Sequence, residues 1–436
     1  MDQSISMVVY DKKTQSTRLL VNPNTISKSD TIAFWGENNS LPADIVNEGF
    51  KSGVFSGNMQ ILRKAHYGNG VTLYRNQKSE SGKIDRQIDH VEFLSQDIQD
   101  FWKRSKMERF FIDKIADLEL LYICFPEYIL SKDYSKIHKV KRVPSAWCRF
   151  ELQNEKTKVV DNVYIKSNWE NSEIDEFTDK VPLIDFYWSA DEVRDYCKKK
   201  KIRKFIRPEY YPMMMNSYYP DPEYLATFKN GWLKHANQIP ELKNAIIDNE
   251  LHVKYIIYIN ELYFHKTYGD QVWKKKPSEE KDTIRRKLHE DIDDHLKGKK
   301  GAGRSIKAPM FLDDKSRNFV EGIKVEEVGN SKSKTEGTYL TDATAANQET
   351  SFAMGVDPSI IGAGIPGGKL GAGSGSDKRE AYTILGSLMK TNRVTSIDSF
   401  YFIKDYNGWD SKLHADFSNT ILTTLDKNPT GSETKM

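Results

Sequence analysis

Thr338–Met354 reads TYLTDATAANQETSFAM, Gly362–Ser376 reads GAGIPGGKLGAGSGS, and Asp377–Lys390 reads DKREAYTILGSLMK. The first stretch is compatible with a helix closed by Gly355, a residue that readily takes the left-handed conformation in which helices end. Pro358 follows Asp357 and discourages continuation. The second stretch holds seven glycines in fifteen residues, too free in φ and ψ for a regular element. Helical spacing then resumes, with Ala381, Ile384, Leu385 and Leu388 on one face. The reading is helix, glycine-rich loop, helix. The flanks Phe352, Met354, Val356, Ile360 and Ile361 are apolar and favour burial over a free linker.

Glycine-rich turns before helices cradle phosphates, so Gly367-Gly368-Lys369 has to be weighed as the end of a P-loop. The match fails at both ends. Ala363 stands where the first glycine belongs, and Leu370 replaces the Ser or Thr that holds magnesium. A helix precedes the loop, not a β-branched strand. A nucleotide-binding enzyme with a degenerate P-loop at 362–369 remains the alternative reading.

At 436 residues the chain is long enough for two or three domains. Its charges are many and balanced, leaving a net charge of +3, which is not the balance of a protein held together by nucleic acid. The three cysteines (Cys124, Cys148, Cys197) form neither a disulfide framework nor a zinc pattern and imply a reducing compartment. The start lacks a basic-then-apolar signal, and no run approaches the ~20 apolar residues of a membrane span. The expectation is a soluble protein made inside a cell.

Along the chain, Pro42 opens a helix with Ile45, Val46 and Phe50 on one face, and a second runs from about Ser56 to His66. Gly68-Asn69-Gly70 stops it before a strand from Val71. Asp85–Met107 reads as an amphipathic helix with Phe93, Ile98, Phe101 and Trp102 inward, and Glu108–Leu120 as another carrying Phe111, Ile112, Ile115 and Leu118. Leu121–Leu130 reads as a strand with a turn at Pro126, and further strands cover 140–151 and 159–166. This first half is α+β by pattern. Lys198–Arg207 holds seven positive charges and reads as a solvated face rather than a phosphate patch. Tyr210–Pro222, rich in proline and aromatics, marks the expected boundary. Pro222–Ile239 reads as a helix broken or kinked at Pro240, Val253–Ile259 as a strand continued by Leu262–His265, and Ser278–Lys297 as a charged helix. Ile306–Leu312, Ile323–Val328 and Ser399–Ile403 read as strands. The histidines and aspartates of 289–295 fit a solvated helix face better than a metal site. No catalytic or cofactor motif stands in a supporting context.

Several segments, in this order, resemble tailed-bacteriophage portal proteins. They are Trp35-Gly36-Glu37-Asn38-Asn39 with Pro42 and Gly68-Asn69-Gly70; Tyr219-Pro220-Asp221-Pro222-Glu223-Tyr224; Gly301-Ala302-Gly303-Arg304; and Phe352–Gly362 before the glycine loop. The resemblance covers roughly residues 30 to 410 and is nearest to portals of phages and prophages of Bacteroidetes-like bacteria. Order and spacing carry it, not any single motif.

The resemblance implies an α+β, portal-like fold: an α/β wing (1–218 and 377–427), stem helices (219–250 and 331–361), a small α/β clip (251–330), a tunnel loop (362–376) and a flexible tail (428–436). It implies a ring, dodecameric in the virion, at one capsid vertex. The ring would be a conduit for double-stranded DNA during packaging and ejection, assembled in the bacterial cytoplasm without enzymatic activity or cofactor of its own. Its partners would be further copies of itself, DNA bound without sequence preference, the large terminase subunit, the major capsid protein and a head–tail adaptor. Gly364, Gly368, Lys369, Gly371, Gly373, Ser374 and Gly375 would form the tunnel loop. Asp342, Asn347 and Glu349 would line the channel. Lys274, Lys275, Lys276, Lys299, Lys300 and Arg304 would serve docking at the clip. Another head–tail adaptor protein is a further alternative. A channel must let DNA slide, and 338–354 has acids but no basic residue to trap phosphates. The readings part on one substitution: Lys369→Ala abolishes ATP binding under the enzyme reading. Under the conduit reading, equilibrium dialysis finds no ATP retained by either protein.

Overall fold

The computed structural model describes residues 31–78, 84–157, 159–169, 174–212, 217–250, 255–297, 310–312, 319–327, 332–361, 375–422 and 432–435. The chain groups into two compact units, Met1–Asn237 with Leu340–Met436, and Gln238–Tyr339.

The first unit begins with α1 (Leu41–Gly49) and α2 (Gly53–Tyr67). Pro42 sits in the first turn of α1, where its missing N–H costs nothing. Ser52 caps α2 by accepting from the Phe55 N–H at 3.3 Å. Next come β1 (Val71–Lys78), β2 (Ile84–Asp89), α3 (Gln96–Ser105), α4 (Met107–Leu121), β3 (Ile123–Leu130), β4 (Ile137–Val143), β5 (Cys148–Phe150), β6 (Asn162–Ile165), β7 (Asp179–Pro182), α5 (Ala190–Lys200), β8 (Lys204–Ile206), β9 (Glu209–Tyr210) and α6 (Leu225–Lys229). Helix α7 (Trp232–Glu250) carries the chain into the second unit. There β10 (Tyr255–Ile259), α8 (Glu261–Tyr268), α9 (Asp270–Lys275), α10 (Ser278–Lys297), β11 (Met310–Leu312), β12 (Phe319–Glu321) and β13 (Ile323–Glu327) follow. Helix α11 (Lys332–Ala353) returns to the first unit, which ends with α12 (Pro358–Ile361), α13 (Gly375–Leu388), α14 (Lys390–Asn407), β14 (Leu413–Phe417), β15 (Asn419–Leu422) and β16 (Ser432–Lys435).

Strand β3 is the middle of the first unit. It pairs antiparallel with β4 on one side and with β8 and β9 on the other. Its side chains alternate between two cores, as the period of a strand requires. Ile123 and Phe125 enter a core with Trp35, Phe55, Phe150 and Tyr219, while Tyr128 and Leu130 enter one with Phe101, Phe111, Phe205 and Phe400. The turn expected at Pro126 is absent, and β3 runs through it. The Pro126 carbonyl accepts from the Arg207 N–H at 3.3 Å, so the missing proline N–H faces the same side, where β8 and β9 are interrupted.

The second unit has its own small centre. Trp273 is fully buried, stacked on Phe264 at 4.9 Å, and its indole N–H donates to Glu261 at 3.1 Å. Burial alone would raise the Glu261 carboxyl, but hydrogen bonds from Trp273 and Arg285 outweigh it and hold the group below its usual range.

Several expectations are corrected. Within 85–107, residues up to Asp89 belong to β2, because they pair with β1 (Tyr74 opposite Ile88); a single 3-10 turn covers Val91–Phe93, α-helix begins only at Gln96, and Phe93 is exposed. Ile112, Ile384 and Leu388 also face outward. The compact unit does not end at Tyr210–Pro222. Tyr219 donates to the Ala33 carbonyl at 2.8 Å, accepts from the Phe150 N–H at 2.9 Å, and lies in the core. The helix expected over 222–239 is interrupted at Gly231, with φ +84, and Pro240 is accommodated inside α7. Leu262–His265 is helical, started by Asn260 accepting from the Leu262 N–H. Ser399–Ile403 lies inside α14, where Ser399, Phe400, Phe402 and Ile403 are buried among helices and sheet. A β-rich local composition there is overruled by tertiary packing. Lys198–Lys200 end α5 exposed, as expected of a solvated face, whereas Phe205 and Ile206 are core and Arg207 is buried against Asp398 at 3.0 Å.

The first and last parts of the unit meet through buried charge. Lys114 of α4 donates to Glu209 of β9, to the Ser396 carbonyl at 2.7 Å and to Ser399 Oγ at 2.6 Å, and both charged side chains are fully buried. Burial pushes the Glu209 carboxyl up, and Lys114 and Ser399 pull it back. Removing one partner strands a buried charge. Lys114→Met should therefore cost about 3–5 kcal/mol in a denaturant titration, and Lys114→Met with Glu209→Gln should recover part of it.

Candidate functional site

Two of the segments that carry the resemblance, 35–39 and 219–224, meet in the structure, while Gly301–Arg304 lies outside the described residues. Trp35 stacks on Tyr219 with ring centres 4.2 Å apart, and the Arg149 guanidinium lies over the Trp35 ring. Asn39, at φ +59, accepts the Trp35 N–H at 3.0 Å through Oδ1, and its carbonyl accepts from Arg149 Nη2 at 2.7 Å. Arg149 is held by carbonyls and an amide, not by a carboxylate, and burial lowers its pKa to about 10. Gly68 is needed for a different reason. The Asn69 N–H donates to the Ser418 carbonyl and the Ser418 N–H to the Gly70 carbonyl, and a Cβ at Gly68 would stand 2.3 Å from the Ser418 oxygen. These motifs are joints of the fold, not chemistry.

One constellation escaped the sequence reading. His66 Nε2 lies 2.8 Å from Ser396 Oγ and Nδ1 lies 2.6 Å from Glu119, the order of a Ser–His–acid triad. Burial lowers the His66 pKa. Burial alone would raise the Glu119 carboxyl, but bonds from His66, Tyr211 and Asn392 hold it low. All three groups are buried, Ser396 and His66 completely. Ser396 Oγ also donates to the Arg393 carbonyl at 3.1 Å. A substrate has no approach to that oxygen, so the arrangement ties α2, α4 and α14 together. No sequence signal could have found it, since the three residues lie on separate helices 53 to 330 positions apart.

The expected channel residues lie on α11. Ala346, Thr350 and Ser351 are buried, Ser351 Oγ accepting from Asn58 at 3.2 Å. Asp342 and Glu349, seven apart, fall within about 20° of one another around the helix, beside the exposed Gln348 and Phe352. Asn347 lies on another side, toward Ser351 and Met354. Gly364, Gly368, Lys369, Gly371, Gly373 and Ser374 lie outside the described residues; Gly375 opens α13. Lys299, Lys300 and Arg304 also lie outside them. Lys274 pairs with Asp270 one turn back along α9, and Lys276, between α9 and α10, pairs with Glu280 of α10, each at 2.9 Å, while Lys275 is exposed. Two of the three lysines are thus partly neutralised by neighbouring acids.

A groove of about 540 Å³ opens between α13–α14 and β1–β14, lined among others by Tyr74, Arg86, Ser387, Lys390, Val394 and Asp416.

No family model matches the chain, and no curated protein matches it. Solved structures do. A chain in the neck of the empty gene transfer agent (GTA) particle, computed with C6 symmetry, aligns at TM-score 0.55 and 16% identity, covering 91% of this chain and 86% of its own. The chain has a portal-like fold. Chains from the native GTA virion (TM-score 0.54, 15% identity, 91% and 86% covered) and from the native GTA neck computed with C12 symmetry (0.52, 15%, 89% and 86%) agree. At such identities the likeness is one of fold.

The His66 pair makes a prediction about pH. His66 titrates below its ordinary 6.5 when folded, so the unfolded chain takes up the proton first. Its contribution is fully present above pH 6.5 and is lost as pH falls through 6.5 toward the folded pKa. The thermal midpoint should drop from about pH 7.5 to about pH 5.5, with a slope of up to about 1.4 kcal/mol per unit from this group. His66→Gln should start lower and be flatter over that range.

Proposed function

We propose that this chain is a portal subunit of a tailed phage or phage-like particle, forming a closed ring at one capsid vertex through which double-stranded DNA is packaged and ejected. The observation that carries the reading is the alignment of nine-tenths of the chain with a component of a symmetric particle neck. In this reading the first unit is the wing with the ends of the stem, α7 and α11 are the stem helices, and the second unit is the clip. Residues 362–376 are the tunnel loop. A twelve-fold ring matches the symmetry applied to one of those necks.

The chemistry of α11 suits a conduit. Past Lys332 and Lys334 in its first turn, α11 carries no basic residue: Thr341, Gln348 and Phe352 are exposed, with Asp342 and Glu349 near them. Such a surface repels phosphate rather than binding it, and sliding requires weak contact. The clip would dock the terminase large subunit and later the adaptor, with Lys275, Lys299, Lys300 and Arg304 as candidate contacts to acidic partners. Capsid protein would surround the wing. ATP hydrolysis belongs to the terminase partner, and the chain itself needs no catalytic group or cofactor.

Negative-stain microscopy with native mass measurement should find closed rings with a central hole and a mass near twelve subunits. Deleting Gly364–Gly375 should leave the rings intact and reduce DNA retained in packaged heads. A monomer that binds ATP would overturn the proposal.

A further inference from the structure

Two surface features of the first unit are complementary and unpartnered. The first is the turn before β7. Asp175 Oδ1 accepts from the Phe177 N–H at 3.0 Å and from Thr178 Oγ1 at 2.8 Å, and the Thr178 N–H donates to the Asp175 carbonyl at 3.1 Å. Lys166 anchors Asp175 at 2.7 Å. This tightly bonded turn presents Phe177, 81% exposed, with Ile174 and Glu176 beside it. A large aromatic ring held in water on a pre-ordered turn loses little further entropy on docking. Glu176 is exposed and has no charged partner among the described residues.

The second feature is the groove between α13–α14 and β1–β14. Val394, 62% exposed, lines it together with the rings of Tyr74, Tyr382 and Tyr401. Its charge is unbalanced. Arg86 is paired with Asp416 at 3.3 Å and Asp398 with Arg207 at 3.0 Å. Arg393 is buried, donates to the carbonyls of Ala65 and His66 and feels Asp416, and Lys390 is exposed without a partner among the described residues. The groove therefore suits an occupant that is apolar and acidic together.

We propose that the turn Ile174–Phe177 of one copy of this chain seats in the groove of the next copy, Phe177 entering between the walls and Glu176 meeting Lys390. The occupant is a second copy because the same chain offers both halves of the match: a carboxylate without a charged partner beside an exposed ring, and the exposed Lys390 beside Val394 and the aromatic lining of the groove. The two patches share no residue and stand on different sheets, so the contact is head-to-tail, the kind that generates rings. The inference rests on the ring reading and names the contact that closes it.

The test is a disulfide. Phe177→Cys and Ser387→Cys replace exposed side chains, Ser387 in the groove wall, and the three native cysteines are all buried, so background cross-linking is low. A disulfide needs the two Cα atoms within about 7 Å. Under mild oxidation the double variant should give a ladder of covalent oligomers up to the ring mass on a non-reducing gel, while either single variant stays monomeric on the same gel. Separately, Glu176→Lys or Lys390→Glu should shift the ring–monomer balance toward monomer at least several-fold at low salt, and the two together should restore it. Rings in the microscope without a ladder and without the charge rescue would overturn this contact and leave the ring reading standing. Absence of rings in the unmodified protein would overturn the ring reading and this contact with it.

Discussion

The Lys114–Glu209 pair is the constraint on which the first unit hangs. An ion pair removed from water is tolerable only when its remaining hydrogen-bonding capacity is met. Here the backbone of Ser396 and the hydroxyl of Ser399 meet it, and both come from α14, some 280 residues away in sequence. The pair therefore makes α4, β9 and α14 mutually dependent. Around it, Glu119 and His66 reach Ser396 and Asn392, and Arg393 reaches the end of α2. A chain that leaves the unit at α7 and returns at α11 is locked back onto its first half by polar contacts that only one arrangement satisfies. The two apolar cores on either side of β3 supply the driving force, and the buried polar layer supplies the register.

A fully bonded buried network also resists shear better than apolar packing alone. The same network reproduces the spacing of a catalytic triad without its exposure. Distances between Ser, His and acid do not make an active site; an open path to the nucleophile does, and Ser396 has none.

The sequence was legible where local physics decides. Pro42 at a helix start, the helix ending at Gly355, the strand after Gly68-Asn69-Gly70 and the long charged helix over 278–297 all follow from capping, glycine conformation and periodicity. It was misread where partners decide. Ile84–Asp89 (IDRQID) alternates too weakly to announce a strand and becomes one by pairing with β1. Residues 399–403, aromatic and β-branched, are helical because α14 buries them on several sides at once. Pro126 passes as a strand residue only because β8 and β9 break opposite it. Of the expected site, α11 and its acids could be placed from the sequence, but the side that each residue faces could not.

What the sequence determined by itself was the helix start at Pro42, the helix end at Gly355, the charged helix over 278–297, the glycine-rich stretch between two helical segments, the absence of a matching phosphate motif and the balanced charge. Each depends on residues within a few turns of one another. The tertiary structure decided the rest. It put Arg149 over Trp35 and joined Trp35 to Tyr219. It gave Gly68 its reason in Ser418 from the far end of the chain, and it left Phe177 exposed. The physical reason is the same in every case. Burial, pairing and charge compensation are properties of residues that meet in space, and a linear sequence carries no term for residues hundreds of positions apart until the chain has closed.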